Sequence, residues 1–206
     1  MYEKFVKRCL DFLLALAALI VLSPIFLIVA ILVKMKLGSP VIFKQKRPGK
    51  DEKIFCMYKF RTMTEERNAN GELLPDEARL PRFGRLLRST SLDELPELWN
   101  IVKGDMSIVG PRPLLVDYLL VYSEREKKRH LIRGGLTGLA QVNGRNFLPW
   151  PERLEMDVQY VENISFLLDC KIIKETIISI LKHKDIAVDT DKVEGNLVEL
   201  RNSEEL

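Results

Sequence analysis

The sequence predicts an α+β protein that is mostly helical, with an N-terminal re-entrant membrane helix hairpin joined to a small cytosolic domain. Three observations lead to this prediction: an apolar run over residues 12–33, two short segments of strand character after it, and several later segments with helical spacing of apolar residues. We expect short strands and amphipathic helices at the membrane surface in the domain. A chain of 206 residues, 47% hydrophobic and 30% charged, fits one domain of ordinary size and excludes a disordered polymer.

The cysteine and histidine content excludes two common kinds of site. The three cysteines, Cys9, Cys56 and Cys170, form no C-x-x-C pair, and the chain has only two histidines. A disulfide framework and a Cys/His zinc site are therefore not expected. The domain should face a reducing cytosol.

Charge is distributed unevenly along the chain, although the net charge is only +3. Residues 1–50 hold nine Lys/Arg and two Asp/Glu, a net charge of +7, whereas residues 185–206 hold two and seven, a net charge of −5. The positive charge therefore accompanies the most apolar part of the chain. This pairing is typical of a protein that binds an anionic membrane surface, and it argues against a nucleic-acid partner.

The apolar run from Phe12 to Val33 is long enough, at about 1.5 Å per residue, to span a hydrocarbon core of about 30 Å. A signal peptide is disfavoured because no small-residue cleavage pattern follows the run. An ordinary transmembrane anchor is the other alternative. Basic residues on both sides argue against it, because the positive-inside rule would keep both ends in the cytoplasm.

Ser23 and Pro24 interrupt the apolar run near its centre. The proline removes the hydrogen bond to the Ile20 carbonyl and kinks a helix at a cost of about 3 kcal/mol. The Ser23 hydroxyl or a neighbouring helix would have to satisfy that carbonyl in lipid. We therefore favour a bent helix that enters and leaves the same leaflet.

The elements of the domain follow from local patterns. Strands are predicted at Val41–Phe43 and Ile54–Phe60, and a mobile surface loop that could serve as a lid at residues 64–79. Helices are predicted from close to Asp93 through Val102, over residues 113–130 and over residues 155–168. The apolar stripe in residues 171–184 suits either the core or the bilayer surface.

The span from Lys59 to Arg145 holds most of the residues suited to chemistry. It contains KFRTM (59–63), an arginine at every third position from Arg82 to Arg88, the acidic pair Asp93 and Glu94, GDMSIVGPRP (104–113) and GLTGLAQVNGR (135–145). Each of these has an ordinary structural explanation. Ser91-x-x-Glu94 matches a helix capping box, spaced arginines often form a solvated face, and glycines often form turns.

Taken together, the motifs favour phosphate chemistry. Ionised carboxylates are needed to bind Mg²⁺ and to attack phosphorus, and Asp93 could do both. A diphosphate substrate would also require guanidinium and ammonium groups to offset its charge. The candidates for that role are Lys59, Arg88, Arg112 and Arg145. No Walker A or G-x-G-x-x-G motif occurs, which argues against a P-loop or dinucleotide site.

The segments FKQKRPG, KFRTM, RSTSLDELPELWNIVKGDMSIVGPRP and GLTGLAQVNGR, in this order behind a hydrophobic N-terminus, resemble the bacterial sugar transferase family. These proteins are monotopic polyprenyl-phosphate phosphoglycosyl transferases, and the resemblance covers residues 1–185. The chain is most similar to the small members that initiate bacterial protein N-glycosylation with UDP-N,N'-diacetylbacillosamine.

The resemblance implies a reaction, a site and a location. It implies transfer of a phospho-sugar from a UDP-sugar to undecaprenyl phosphate, with release of UMP, through a covalent intermediate on Asp93 at the cytosolic face of the bacterial inner membrane. Asp93 and Glu94 would be the catalytic pair and the Mg²⁺ ligands, although Glu94 is equally suited to orienting other groups. Substrate-binding roles fall on Lys59, Arg88, Arg112, Arg145 and Asp157. The family's membrane helix is broken at a Ser-Pro pair, which matches Ser23 and Pro24.

This interpretation divides the chain into a re-entrant membrane helix (1–37), a catalytic domain (38–184) and an acidic C-terminal tail (185–206), to which the resemblance assigns no role. The alternative is a non-catalytic scaffold, anchored in the membrane, that binds anionic lipid or an acidic partner and uses the acidic pair only as a helix cap. Release of UMP from a UDP-sugar would distinguish the two.

Overall fold

The computed structural model describes residues 2–144, 148–181 and 195–204, and it confirms a mostly helical α+β architecture. Two helices, α1 (Lys7–Val21) and α2 (Ser23–Leu37), follow a short π-helix at Tyr2–Val6. The strands are β1 (Ile42–Pro48), β2 (Ile54–Phe60), β3 (Ser107–Val109) and β4 (Gly135–Thr137). The remaining helices are α3 (Asp76–Arg79), α4 (Arg82–Ser89), α5 (Glu97–Lys103), α6 (Glu124–Lys127), α7 (Leu139–Val142), α8 (Trp150–Glu162), α9 (Phe166–Leu181) and α10 (Leu197–Glu204).

The apolar N-terminal run forms two helices that meet at 64° between Val21 and Ser23. The predicted rescue of the orphaned carbonyl is confirmed, because the Ser23 hydroxyl donates a hydrogen bond of 2.8 Å to the Ile20 carbonyl. Among the described residues, no single helix meets the length and hydropathy of a membrane span, while α1 and α2 meet them together as a bent pair.

Polar side chains attach α1 to the rest of the protein. Asp11 is buried and accepts hydrogen bonds from the Ser107 hydroxyl (2.5 Å) and the Ile108 amide (3.0 Å). Lys7 forms a buried ion pair of 2.7 Å with Asp169 of α9. Arg8 donates to two carbonyls at the end of α5. Two of the basic residues that flank the apolar run therefore bind the domain itself.

The bent pair of α1 and α2, called the α1–α2 hairpin below, presents two different faces. Its inner face packs into the core, where Ala15 contacts the cluster around Ile101, and Val29 and Val33 contact the cluster around Phe60. Its other face carries large exposed apolar side chains, namely Leu13, Leu14, Ile20, Val21, Leu27, Ile28 and Ile31. A large exposed apolar surface of this kind is typical of a site that binds another protein or a membrane.

The first sheet is an antiparallel hairpin of β1 and β2, in register from Ile42 opposite Phe60 to Pro48 opposite Ile54. The prediction of β2 is confirmed at both ends. The prediction of β1 was too short, because the polar residues after Phe43 continue the strand to Pro48. Pairing with β2, which local sequence does not reveal, supplies the hydrogen bonds that extend it.

The second sheet pairs β3 and β4 in parallel, and its glycines allow the close approach. A Cβ atom on Gly135 would lie 2.1 Å from the Gly110 amide nitrogen, and one on Gly110 would lie 2.5 Å from the Arg133 carbonyl oxygen. The GPRP and GLTG motifs therefore serve as structural contacts that place Arg112 immediately after β3.

Several predicted helices have different boundaries. Residues 113–130 contain two 3-10 helices, Val116–Leu120 and Lys128–Leu131, around the short α6 instead of one helix. The break follows Ser123, which caps α6 in a true capping box with Glu126. The helix predicted over 155–168 begins earlier, at Trp150, and ends at Glu162, since Asn163 leaves helical geometry.

The apolar stripe in residues 171–184 belongs to α9 up to Leu181, and positions 182–184 lie outside the described residues. Ile172 is buried in the core, whereas Phe166, Leu167 and Ile177 are exposed, so α9 divides between the two environments that its sequence suggests. The segment 64–79 is largely irregular, with one bridge between Arg67 and Leu73 and a single turn, α3.

The C-terminal helix α10 packs against the domain. Leu197 is 1% exposed in a cluster with Tyr118, Tyr122, Trp150 and Leu154. The Trp150 indole donates a hydrogen bond of 2.8 Å to the Gly195 carbonyl, and Arg201 pairs with Glu126. The described part of the acidic tail is therefore integrated into the fold.

Candidate active site

The acidic pair lies on a single 3-10 turn, Leu92–Glu94, ahead of α5. Ser91 enters this turn in a left-handed conformation, with φ 55° and ψ 18°. The prediction of a helix starting close to Asp93 is therefore wrong by one turn, because α5 begins at Glu97 directly after Pro96. The Ser91 hydroxyl caps neither turn, and Glu94 points elsewhere, so the capping-box explanation is excluded.

Glu94 is the centre of an ion-pair cluster. One of its oxygens accepts from Lys59 Nζ at 2.8 Å and also from Arg112 Nη2. Burial opposes its ionisation, but the charges of Arg112 and Lys59 hold the pKa of Glu94 below its usual value. Glu94 is thus a permanent anion that fixes two cations, one on β2 and one after β3.

Asp93 has a different environment, although it is adjacent in sequence. It is 7% exposed, and across the described ranges its carboxylate accepts no hydrogen bond and forms no ion pair. Burial and the negative charge of Glu94 raise the pKa of Asp93 to about 6, against the opposing charges of Lys59, Arg112 and Arg88. The pair therefore consists of one neutralised carboxylate and one free carboxylate that ionises near neutral pH, a division typical of functional sites.

A third carboxylate, Glu97, joins the cluster from the first turn of α5. Its side chain is 1% exposed, and its Oε1 lies 3.2 Å from Lys59 Nζ but lacks hydrogen-bond geometry. Burial raises the pKa of Glu97 to about 7, despite the nearby charge of Lys59. We did not predict this residue from the sequence. Its spacing of three residues from Glu94 places both on one helical face, and that is the signal that could have revealed it.

The residues present fit a Mg²⁺ site of the kind that is shared with a substrate. Within residues 2–144, 148–181 and 195–204, no three His, Cys, Asp or Glu side chains cluster as metal ligands. Mg²⁺ often takes only one or two carboxylates and completes its shell with water and substrate phosphates. Asp93 suits this role because its oxygens are unused. Glu94 is already engaged by two cations, which favours the orienting role that the sequence left open.

Arg88 supplies positive charge near Asp93. It lies in the last turn of α4, and its Nε donates to the Thr62 hydroxyl at 3.1 Å. Its guanidinium nitrogens Nη1 and Nη2 make no hydrogen bond to other described residues. Arg82 and Arg85 of the same helix are exposed, so Arg88 is the one member of this arginine series that lies at the site.

The predicted residue Asp157 is buried and paired. It binds Arg129 Nη2 at 2.7 Å, and the same nitrogen donates to the Arg112 carbonyl at 2.7 Å. Burial raises the pKa of Asp157, opposed by the charge of Arg129. Asp157 therefore also supports the backbone that carries Arg112. Arg145, the last predicted basic residue, lies outside the described residues.

A cavity of about 1310 Å³ connects these groups. Its lining includes Ala18 and Leu22 of the α1–α2 hairpin, and also Gly195 and Asn196 before α10. It is also lined by six of the predicted residues: Lys59, Arg88, Asp93, Glu94, Arg112 and Asp157. The cavity therefore joins apolar residues near the end of α1 to a cluster of cations around Asp93.

Arg47 is a further basic residue of the lining that the sequence did not single out. It lies on β1, two residues after Gln45, which also lines the cavity, and its Nη2 donates to the Gln45 side-chain oxygen at 2.6 Å. Its membership in the basic FKQKRPG segment suggested only a membrane flank. Side chains alternate between the two faces of a strand, so Gln45 and Arg47 lie on one face of β1 and Lys44 and Lys46 on the other. This alternation could have distinguished Arg47 from the two lysines.

Comparison with known proteins identifies the family of this chain. Residues 2–183 match the family described as Bacterial sugar transferase. The chain is 52% identical over 180 residues to the uncharacterized sugar transferase EpsL of Bacillus subtilis, covering 87% of this chain and 89% of the relative. It is 40% identical over 188 residues to the exopolysaccharide production protein ExoY of Sinorhizobium fredii, covering 83% of each.

A longer relative is named for its reaction. The UDP-glucose:undecaprenyl-phosphate glucose-1-phosphate transferase of Klebsiella pneumoniae is 39% identical over 181 residues, which cover 83% of this chain and 39% of that protein. The family match includes the acidic turn, the cation cluster and the bent helix pair, and it ends before α10. The chain is therefore an enzyme of the bacterial sugar transferase family.

Proposed function

We propose that this protein transfers a phospho-sugar from a UDP-sugar to undecaprenyl phosphate and releases UMP. The observation that carries the proposal is Asp93, a buried carboxylate beside Arg88 and the Lys59–Glu94–Arg112 cluster that accepts no hydrogen bond within the described part of the chain. The proposal is supported by relatives named as UDP-glucose and UDP-N-acetylgalactosamine undecaprenyl-phosphate phosphotransferases.

The transfer proceeds in two displacements. An ionised Asp93 oxygen attacks the sugar-linked phosphorus, the bond to the bridging oxygen breaks, and UMP leaves with that electron pair. An oxygen of the acceptor phosphate then attacks the same phosphorus, and the Asp93 carboxylate leaves. Dividing the reaction in this way lets one site serve a soluble donor and a lipid acceptor in turn.

The surrounding residues provide binding and charge. Lys59, Arg88 and Arg112 offset the negative charge that collects on the phosphates, with Glu94 holding two of them in place. Mg²⁺, when bound through Asp93 and the substrate phosphates, would offset charge on the diphosphate. Glu94 acts as a positioning residue, although it was also predicted as a ligand.

The membrane position is part of the proposal. The exposed apolar face of the α1–α2 hairpin enters one leaflet of the inner membrane, and the domain stays on the cytosolic side. Ala18 and Leu22 belong to the hairpin and also line the cavity. This continuity gives the lipid phosphate a route to Asp93 without leaving the headgroup region.

The donor that we predict is UDP-N,N'-diacetylbacillosamine. The two relatives above whose names give a donor are named for UDP-glucose and UDP-N-acetylgalactosamine, so a panel of donors is the appropriate test. Purified full-length protein is incubated with each UDP-sugar and Mg²⁺, and its intact mass is measured. We expect one donor to add the mass of its phospho-sugar, with an equal amount of UMP, and no addition to Asp93→Asn. Turnover by Asp93→Asn near the wild-type rate would contradict the mechanism, and UMP release from no donor would contradict the function.

A further inference from the structure

The strongest unexplained feature of the cavity is the charge on Arg47. Lys59 and Arg112 share the carboxylate of Glu94, and Arg129 has that of Asp157. In the part of the chain that the structure describes, no carboxylate lies within ion-pair distance of Arg47.

Arg47 also has unused hydrogen-bond donors. A guanidinium carries five N–H groups, and among the described residues this one donates only to the neutral amide oxygen of Gln45. Its Nε is fully buried and donates to none of the described residues. A buried donor without a partner is costly, and a buried charge without a counterion is more so. Burial and the repulsion of Arg112 lower the pKa of Arg47 to about 10, which reflects the same cost.

We infer that Arg47 and Arg112 together bind the phosphate that departs with the nucleotide. The geometry points to an anion because Arg47 lines the cavity with an unneutralised guanidinium and idle donors. A phosphate between the two arginines would neutralise the first, satisfy its donors and remove their mutual repulsion. The inference rests on the proposed function for the identity of that phosphate.

The neighbours of each residue determine which phosphate this is. Arg112 and Arg88 both act on Asp93, so the phosphorus under attack belongs there. Arg112 and Glu97 are the charged groups that act most on Arg47. Lys59, which pairs with Glu94, lies opposite Phe43 in the sheet, and Arg47 is four residues farther along β1, about 13 Å at about 3.3 Å per residue. Arg47 therefore occupies a second position, displaced along β1 from the acidic pair. The adjacent phosphate of the donor, whose oxygen receives the electron pair when the phosphorus–oxygen bond breaks, fits this second position.

The test is binding of UMP, which needs no catalysis. Calorimetric titrations of the detergent-purified full-length protein compare UMP with uridine, which lacks the phosphate. Arg47→Gln should weaken the affinity for UMP about 10- to 100-fold, as expected for lost charge-assisted hydrogen bonds, and leave the affinity for uridine unchanged. Arg47→Lys keeps the charge but loses the planar two-pronged donor, so its affinity for UMP should lie between those of wild type and Arg47→Gln. Lys46→Gln, which removes a charge from the opposite face of β1, is the matched control and should match wild type.

Three outcomes would overturn the inference. They are UMP affinity within twofold of wild type for a folded Arg47→Gln, equal weakening of UMP and uridine, and an equal effect of Lys46→Gln. Thermal unfolding checks that each variant is folded. If wild type releases no UMP from any donor, the proposed function fails independently, and inorganic diphosphate replaces UMP as the probe. Weaker binding of diphosphate by Arg47→Gln would then support the arginine pair, and equal binding would contradict it.

Discussion

Asp93 and Glu94 show how strongly local contacts divide two adjacent carboxylates. Glu94 accepts hydrogen bonds from two cations, whereas Asp93 is buried and accepts none from the residues that the structure describes. The pKa of Glu94 lies below its usual value and that of Asp93 rises to about 6. The residue proposed to attack phosphorus is thus the one whose carboxylate accepts no hydrogen bond from another described residue.

The Asp93→Asn substitution should abolish turnover and stabilise the fold. The pKa of Asp93 rises from 3.8 to about 6, so the folded protein binds more protons than the unfolded chain between these values, and its stability falls as pH increases. Removing the carboxylate should raise the free energy of unfolding at pH 7 by up to about 3 kcal/mol, with no difference below about pH 4. Thermal unfolding of both proteins across this range measures the effect, and a variant that is less stable at pH 7 would contradict it.

Activity should follow the same ionisation. Only ionised Asp93 can attack, so UMP release should rise with pH around an apparent pKa near 6. Glu97, whose pKa is raised to about 7, is the competing source of such a profile. The acid limb should persist in Glu97→Gln, and its disappearance there would assign the limb to Glu97.

The Glu94→Gln substitution should separate orientation from metal binding. Loss of the anion frees Lys59 and Arg112, and we expect turnover to fall about 100-fold or more because two substrate-binding cations lose their fixed positions. The Mg²⁺ concentration for half-maximal activity should stay unchanged. A rise of more than tenfold in that concentration would make Glu94 a metal ligand, and near-normal turnover would remove it from the site.

At the scale of elements, the proposed membrane position depends on the bend between α1 and α2. The Ser23 hydroxyl satisfies the Ile20 carbonyl that Pro24 leaves without its helical donor. This local arrangement makes a 64° bend compatible with a lipid environment.

Replacing Ser23 and Pro24 by Ala and Leu should straighten the pair by removing a kink cost of about 3 kcal/mol. We expect the N-terminus of the variant to cross the membrane and transfer to lipid to fall. The measurement is labelling of a cysteine in a short N-terminal extension with an impermeant thiol reagent in intact cells, after Cys9, Cys56 and Cys170 are replaced by Ala. The native hairpin should be protected and the variant labelled.

A cysteine at Glu124, on the exposed surface of the domain, provides the control for sidedness. It should be protected in intact cells and labelled after lysis in both proteins. Labelling of the native N-terminus from outside would contradict the re-entrant topology.

At the scale of the whole molecule, the cavity depends on parts that are distant in sequence. The hairpin provides one edge, β1 and β2 provide Arg47 and Lys59, and the segment before α10 provides Gly195 and Asn196. The family match ends at residue 183, so this last edge lies outside the residues that the family match covers.

Leu197→Ala should therefore affect both stability and donor binding. Leu197 is 1% exposed, and its truncation should cost about 2–5 kcal/mol, which loosens α10 and the cavity edge that precedes it. We expect a lower unfolding temperature and a higher KM for the UDP-sugar, with kcat less affected. Glu199→Ala, an exposed position of the same helix, should change neither, and an unchanged KM in Leu197→Ala would show that α10 has only a structural role.

Features set by neighbouring residues were predictable from the sequence. The apolar run, the kink at Ser23 and Pro24 with its rescued carbonyl, strand β2 and the lining positions of Lys59, Arg88, Asp93, Glu94 and Arg112 all follow from spacing and motif. The apolar run, the kink and β2 depend on contacts within a few residues. The site residues belong to motifs that follow one another in a fixed order along the chain. The boundaries of β1 and α5 were not predictable, because a partner strand and a left-handed Ser91 determine them.

Only the tertiary structure decided how charge is shared. Glu94 meets Lys59 and Arg112 across 35 and 18 residues, and Asp11 meets Ser107 across 96. These distant contacts and burial determine that Lys59 and Arg112 are neutralised by Glu94. They also determine that Asp93 and Arg47 form no ion pair with the other described residues. A sequence pattern contains neither, since electrostatic energy depends on separation in space and exclusion of water rather than on separation along the chain.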